Sequence, residues 1–261
     1  NFSNESKKLI DMKINENTGF ATITLQHLPV NSLNLELLTD LSNTLDSVEE
    51  HRCKGMILTS ASNKVFSAGL HLFDMYKPDV DRVKAMWSML QEVWLKLYGS
   101  TYPTVAAING HSPAGGCLLS LACEYRVMVN AFTIGFNETQ LGIIAPSWCQ
   151  ASMRNALSNR DTELALTNGK MFTTDEALKV GLVDETAMDK HDALAKAETF
   201  LLRFKNISAQ ARSITKLALR SVDIKALEEI REYDVKLFVD LVMQPEVQER
   251  IGAYIESLKK K

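Results

Sequence analysis

Apolar residues of this chain alternate first and later recur at every third or fourth position. Leu9–Ile14 and Phe20–Leu25 alternate or run apolar around Asn15-Glu16-Asn17-Thr18-Gly19, which predicts a β-hairpin. Leu35, Leu38, Leu41, Leu45 and Val48 stand at helical spacing and predict a helix over 33–49. Met56–Thr59 reads as a strand. Over Val80–Tyr98, the residues Val83, Met86, Trp87, Leu90, Val93, Trp94 and Leu97 share one helical face, the strongest such pattern present. Strand Val105–Ile108 leads to a short helix from about Ala114 to Ala122, and strands Tyr125–Val129 and Phe132–Phe136 follow. Strand–strand–helix units thus repeat through the first half and predict an α/β fold. After Ala151 the pattern is almost wholly helical. Phe172 ends a strand that passes into a helix capped by Thr173 or Thr174, with Asp175 and Glu176 in its first turn. Amphipathic helices are then predicted over Ala193–Phe204, Ala209–Ser221, Ile224–Val242 and Pro245–Lys259. A soft boundary near residue 200 divides a core, 1–200, from a helical region, 201–261.

Composition narrows the possibilities. The 261 residues are 46% hydrophobic, enough for a sizeable core. A net charge of −3 gives no basis for binding nucleic acid, which calls for a basic face. No apolar run approaches the roughly 20 residues that span a bilayer. Cys53, Cys117, Cys123 and Cys149 are scattered without a CxxC pair, so neither a metal site nor a disulfide scaffold is written here, which fits a reducing compartment. Asn4-Glu5-Ser6, Asn137-Glu138-Thr139 and Asn206-Ile207-Ser208 match the glycosylation pattern, which matters only in a secreted chain; no signal peptide is visible. Ser257-Leu258-Lys259-Lys260-Lys261 is not a peroxisomal tail.

The candidate chemistry lies in two loops and one acid. Val65-Phe66-Ser67-Ala68-Gly69-Leu70 follows the strand at 56–59, and Asn109-Gly110-His111-Ser112-Pro113-Ala114-Gly115-Gly116-Cys117 follows the strand at 105–108. Such loops aim free backbone N–H groups at developing negative charge. Glu138 lies between Phe136-Asn137 and Leu141-Gly142-Ile143-Ile144, a carboxylate near apolar walls. Taken singly, each feature has an ordinary explanation: two glycines allow close helix–strand packing, Ala-Gly pairs occur in many turns, and most glutamates are solvated. The three together, in order and each just after a strand, describe a site that forms an enolate.

That ordered set resembles the crotonase superfamily of enoyl-CoA hydratases and isomerases. The resemblance covers roughly residues 8–190, with Thr173-Thr174-Asp175-Glu176-Ala177 and Gly181-Leu182-Val183-Asp184 as a further matching stretch. It implies a crotonase-like spiral of β-β-α units with a C-terminal helical trimerisation region, hence a homotrimer. It implies that the N–H groups of Ala68 and Gly115 form an oxyanion hole for an acyl-CoA thioester, with Glu138 as the catalytic base. No cofactor or metal is implied beyond the coenzyme A of the substrate. Hydratases of the superfamily carry a second glutamate where this chain has Leu118. Adding water benefits from two carboxylates, whereas one suffices to move a proton between two carbons. Ser112–Cys117 and Asn137–Pro146 are similar to the Δ3,Δ2-enoyl-CoA isomerases of fatty-acid β-oxidation, the mitochondrial type in particular, which implies that isomerase activity and the mitochondrial matrix. Gly69, Leu70, Leu72, Leu118 and Asn137 are expected along the substrate. Lys64 is a candidate for the CoA phosphates. His71 stands near a position where relatives often carry Asp and is either a turn residue or a CoA contact. Trp148 either walls the acyl pocket or packs the core. Another acyl-CoA chemistry, such as hydration, decarboxylation or thioester hydrolysis, and a catalytically silent acyl-CoA binder remain the alternatives.

Overall fold

The hairpin expected at the start forms the edge of the main sheet. The computed structural model describes residues 8–259, so Asn4-Glu5-Ser6 and the final Lys260-Lys261 lie outside it. Strands β1 (Ile10–Ile14) and β2 (Phe20–Leu25) pair antiparallel, with Ile10 opposite Leu25. Helix α1 (Leu35–Glu50) leads to β3 (Gly55–Ser60). After α2 (Leu72–Met75) and α3 (Val80–Tyr98) come β4 (Thr104–Ile108), β5 (Ser112–Pro113), α4 (Gly115–Ala122), β6 (Tyr125–Val129) and β7 (Thr133–Gly135). A 3₁₀ turn over Glu138–Leu141 precedes α5 (Ser147–Arg154), α6 (Asn159–Asn168), β8 (Phe172–Thr173), α7 (Thr174–Val180), β9 (Glu185–Ala187) and α8 (Lys190–Leu202). Helices α9 (Ala209–Val242) and α10 (Pro245–Lys259) complete the described chain.

The main sheet has the order β1-β2-β3-β4-β6-β9, parallel from β2 onward, and a smaller sheet has the order β5-β7-β8. A parallel sheet is stable when both faces are covered. Successive side chains of β3 accordingly point to different cores: Met56 and Leu58 join α1, α3 and α4, while Ile57 joins Phe20, Val105 and Val127 beneath α8. Ala193, Ala197 and Leu201 recur every fourth residue on α8, and the two alanines let it lie close to the sheet. Helix starts are set by side-chain caps. Asn34 accepts from Leu37 N–H, Asp79 from Arg82 N–H, and Thr173 with Glu176 forms a reciprocal capping box.

The helical tail departs from expectation. The separate helices predicted over Ala209–Ser221 and Ile224–Val242 are one 34-residue helix, α9. No glycine or proline interrupts Ser221-Val222-Asp223, so nothing in the backbone ends the helix there. Its Leu227, Phe238, Val239 and Val242 join the main core, as do Val247, Ile251 and Ile255 of α10. Strands β5 and β9, two and three residues long, were not foreseen, being too short to show a period.

Candidate active site

The loops after β3 and β4 meet at two glycines. Gly69 has φ +80°, and a Cβ placed on it would lie 2.9 Å from the Ala114 Cβ and 3.1 Å from the Gly115 nitrogen. The approach is held from below by buried amides. Asn31 Nδ2 donates to Ser60 Oγ (2.7 Å) and to the Phe66 carbonyl (2.9 Å), and Asn109 Nδ2 donates to the carbonyls of Ser60 (3.0 Å) and Ser62 (2.9 Å). Ser67 Oγ donates to the Asn31 carbonyl (2.8 Å). Asn109 stands at the head of the second candidate loop, whereas no pattern in the sequence marks Asn31 as part of this scaffold.

This arrangement corrects one expectation. The Ala68 N–H donates to the Val30 carbonyl at 2.9 Å and is therefore engaged within the protein. Two residues on, the backbone turns over. Leu33 N–H donates to the Gly69 carbonyl (2.8 Å) and His71 N–H to the Leu33 carbonyl (3.2 Å), a parallel bridge that directs the intervening Leu70 N–H to the opposite side. Among the described residues the Leu70 N–H has no acceptor. Gly115 is the first residue of α4, so its N–H has no partner within the helix, and none elsewhere among the described residues. Ala114, at φ 50°, makes the turn into α4, and its own N–H donates to the Gly135 carbonyl (2.8 Å). The free donor pair is therefore Leu70 and Gly115, at the positive end of a helix dipole.

Glu138, delivered by the turn after β7 of the small sheet, lines the same pocket as the two donor loops. Its Oε2 is sealed from solvent without a hydrogen-bond partner. Burial raises its pKa from the ordinary glutamate range to about 7, opposed only by its own backbone N–H. The pocket encloses about 90 Å³. Ala68, Leu70, Leu72, Gly115, Leu118, Asn137 and Glu138 all line it, so the structure brings most of the sequence candidates together. Gly69 lies buried just beneath. Three further candidates also stand outside the lining. Lys64 is exposed on the loop, and His71 places Nδ1 3.4 Å from Asp74 Oδ2 with its ring against Phe73. Trp148 is core, its Nε1 donating to Asp234 Oδ2 at 3.2 Å. The sequence reading missed Phe238 of α9 and Tyr254 of α10, which the tail brings to the pocket wall.

The thiols nearby are inert. Burial, and then the charge of Glu138, push Cys117 and Cys149 well above the usual thiol range. Among the described residues no three His, Cys, Asp or Glu side chains are placed to share a metal ion, and no helix is long and apolar enough to cross a membrane.

With this geometry in place, the sequence profile of the enoyl-CoA hydratase/isomerase family matches residues 15–261. The chain belongs to the enoyl-CoA hydratase/isomerase family. It is 40% identical over 246 residues to mouse "Enoyl-CoA delta isomerase 1, mitochondrial", covering 93% of this chain and 85% of the mouse protein. To the human protein of the same name it is 39% identical, covering 92% of this chain and 80% of the human one. The crystal structure of human mitochondrial delta3-delta2-enoyl-CoA isomerase superposes with a TM-score of 0.93 at 37% identity, covering 97% and 98% of the two chains. An enoyl-CoA hydratase from Bacillus halodurans superposes with a TM-score of 0.83 at 26% identity, covering 94% and 99%. The fold is thus the crotonase fold, with its helical C-terminal region. Since isomerases and hydratases of this family share it, the site has to decide the chemistry.

Proposed function

We propose that this chain is a Δ3,Δ2-enoyl-CoA isomerase of fatty-acid β-oxidation, converting cis- or trans-3-enoyl-CoA to trans-2-enoyl-CoA. The observation that carries this reading is that Glu138 is the one carboxylate among the described residues that line the pocket. Glu138 and both donor loops line one largely apolar pocket, whose lining includes the buried Leu118 and no second acid to hold a water.

The thioester oxygen is received by the Leu70 and Gly115 N–H groups. Glu138 removes a proton from C2, acidified by both the thioester and the adjacent double bond. Charge moves to the oxygen as a dienolate, where the two N–H groups and the α4 dipole stabilise it. Loss of one such donor in other enzymes costs about 3–4 kcal/mol. Glu138 then delivers the same proton to C4, and the double bond ends in conjugation at C2–C3. A pKa near 7 suits a group that must both take and return a proton at neutral pH. Apolar walls exclude the water that hydration would need.

The reaction requires no cofactor beyond the CoA carried by the substrate. Lys64 is assigned to the CoA phosphates by its exposed place on the donor loop. The mitochondrial names of the mammalian relatives support the same compartment for this chain, with the matrix as the finer assignment. A homotrimer assembled partly through residues 201–261, beside a spiral core over 1–200, fits the large apolar side chains that α9 exposes at Ile214, Leu219 and Val222.

Purified protein incubated with 3-hexenoyl-CoA is expected to generate the absorbance of a conjugated enoyl thioester. Glu138→Gln is expected to abolish this while retaining acyl-CoA binding. A variant of near-normal rate would remove Glu138 from the mechanism, and a silent wild type that still binds acyl-CoA would make the protein a binder.

A further inference from the structure

One buried carboxylate lies outside the donor–base pair, on the helical tail. Asp234 of α9 is 6% exposed, and its Oδ2 alone receives three donors: Trp87 Nε1 at 2.7 Å, Gln91 Nε2 at 2.8 Å and Trp148 Nε1 at 3.2 Å. Trp87 and Gln91 come from α3 and Trp148 from α5, so this oxygen ties three helices at one point. Trp87 lies flat on Phe238, with ring centroids 3.6 Å apart and planes at 8°. Trp148 meets the Trp87 ring edge-on, with centroids 5.8 Å apart. Both Trp87 and Phe238 line the pocket that holds Glu138. A stack of two flat rings, one pinned by its indole N–H, makes a rigid wall where an all-aliphatic lining would yield. The indoles also need the acceptor, because a buried N–H without one is costly.

We propose that Asp234 is a positioning residue which locks the Trp87–Phe238 stack as the stop of the acyl pocket, and so sets the longest acyl tail the site accommodates. The proposal rests on the pocket being an acyl-CoA site, and it specifies what ends that site. Up to the stop, each methylene of the tail is buried and strengthens binding about fourfold. Beyond it, further methylenes find no room and affinity levels off.

Affinity is read by titrating saturated acyl-CoA thioesters, from butanoyl to dodecanoyl, into wild type, Asp234→Ala and Phe238→Leu. Saturated thioesters bind without turnover, so the measurement does not depend on the isomerase reaction. Wild-type affinity is expected to rise with length and then plateau. Asp234→Ala removes the oxygen that receives both indoles and so frees them, whereas an asparagine would still offer its amide oxygen to the same three donors. Both variants are expected to move the plateau at least two carbons longer, with dodecanoyl-CoA binding about tenfold tighter than to wild type. Thermal melts accompany each titration. A wild type without a plateau would mean that the tail leaves by another route. Variants whose plateau stays at the wild-type length, whatever their melting temperatures, would reduce Asp234 to a brace of the fold. If no acyl-CoA binds at any length, the function proposed above falls, and the stop falls with it; conversely, a plateau that does not move leaves that function standing.

Discussion

Glu138 concentrates the chemistry of the site in one titration. It accepts a proton only when ionised, so kcat/KM is expected to rise with pH to a half-point near 7 and then level off. The same burial acts on stability with a definite sign. The folded-state pKa stands above that of the unfolded chain, so between about 4.5 and 7 the folded form binds the extra proton and stability declines as pH rises. Below that window the group makes no difference, and above it the full cost remains. At about 1.4 kcal/mol per tenfold change in proton affinity, the cost is bounded at the order of 3 kcal/mol. Glu138→Gln removes it. Urea melts of both proteins are expected to coincide more closely at pH 4 than at pH 8, where the variant is the more stable. An equal difference at both values would show that the carboxyl is not desolvated in the folded state.

At the scale of elements, the donor geometry depends on two loops touching at Gly69. A Cβ there meets the Ala114 Cβ, and φ +80° disfavours any L side chain. Gly69→Ala is therefore expected to push the loop after β3 away from α4 and lower kcat about 100-fold, with far-UV circular dichroism unchanged. Retention of kcat would mean that the two donors need not act together. Much of this region was legible in advance. Apolar runs at β3 and β4 each end in glycine-bearing loops, and the face of α3 appears with its buried residues correctly named. What stayed illegible has identifiable causes. The direction of a backbone N–H leaves no trace in a side-chain pattern, so Ala68 was chosen where Val30 already holds its N–H and Leu70 carries the free one. Continuity of α9 was hidden because its middle is anchored by polar contacts. Arg220 donates to the carbonyls of Tyr98 (2.8 Å) and Ala122 (3.0 Å), and Asp223 accepts from the Tyr98 hydroxyl (3.1 Å) and Asn155 Nδ2 (2.7 Å). An apolar period cannot register such anchors. Asp234 was missed for the same reason, since an acid on an amphipathic helix resembles a solvated face.

For the whole molecule, α9 presents two different surfaces. Its inward side gives Phe238 to the pocket and Asp234 to the indoles, and its outward side leaves Ile214, Leu219 and Val222 at 60%, 79% and 73% exposure. Apolar side chains clustered on one exposed stretch of helix are what a subunit interface requires, and covering each is worth about 2 kcal/mol. Sedimentation of wild type is expected to give three times the 29.2 kDa chain mass. Combined Leu219→Asp and Val222→Asp places two charges at positions that the assembly would bury, and is expected to yield the single-chain mass at the same concentration. A wild type that sediments as one chain would dismiss the trimer outright. Because one rigid helix carries both surfaces, the dissociated variant tests their connection as well. If assembly steadies α9 against α3, acyl-CoA affinity falls on dissociation while the circular dichroism spectrum holds. Unchanged affinity would make the pocket a property of the single chain, with Asp234 and its three donors sufficient to keep the wall in place.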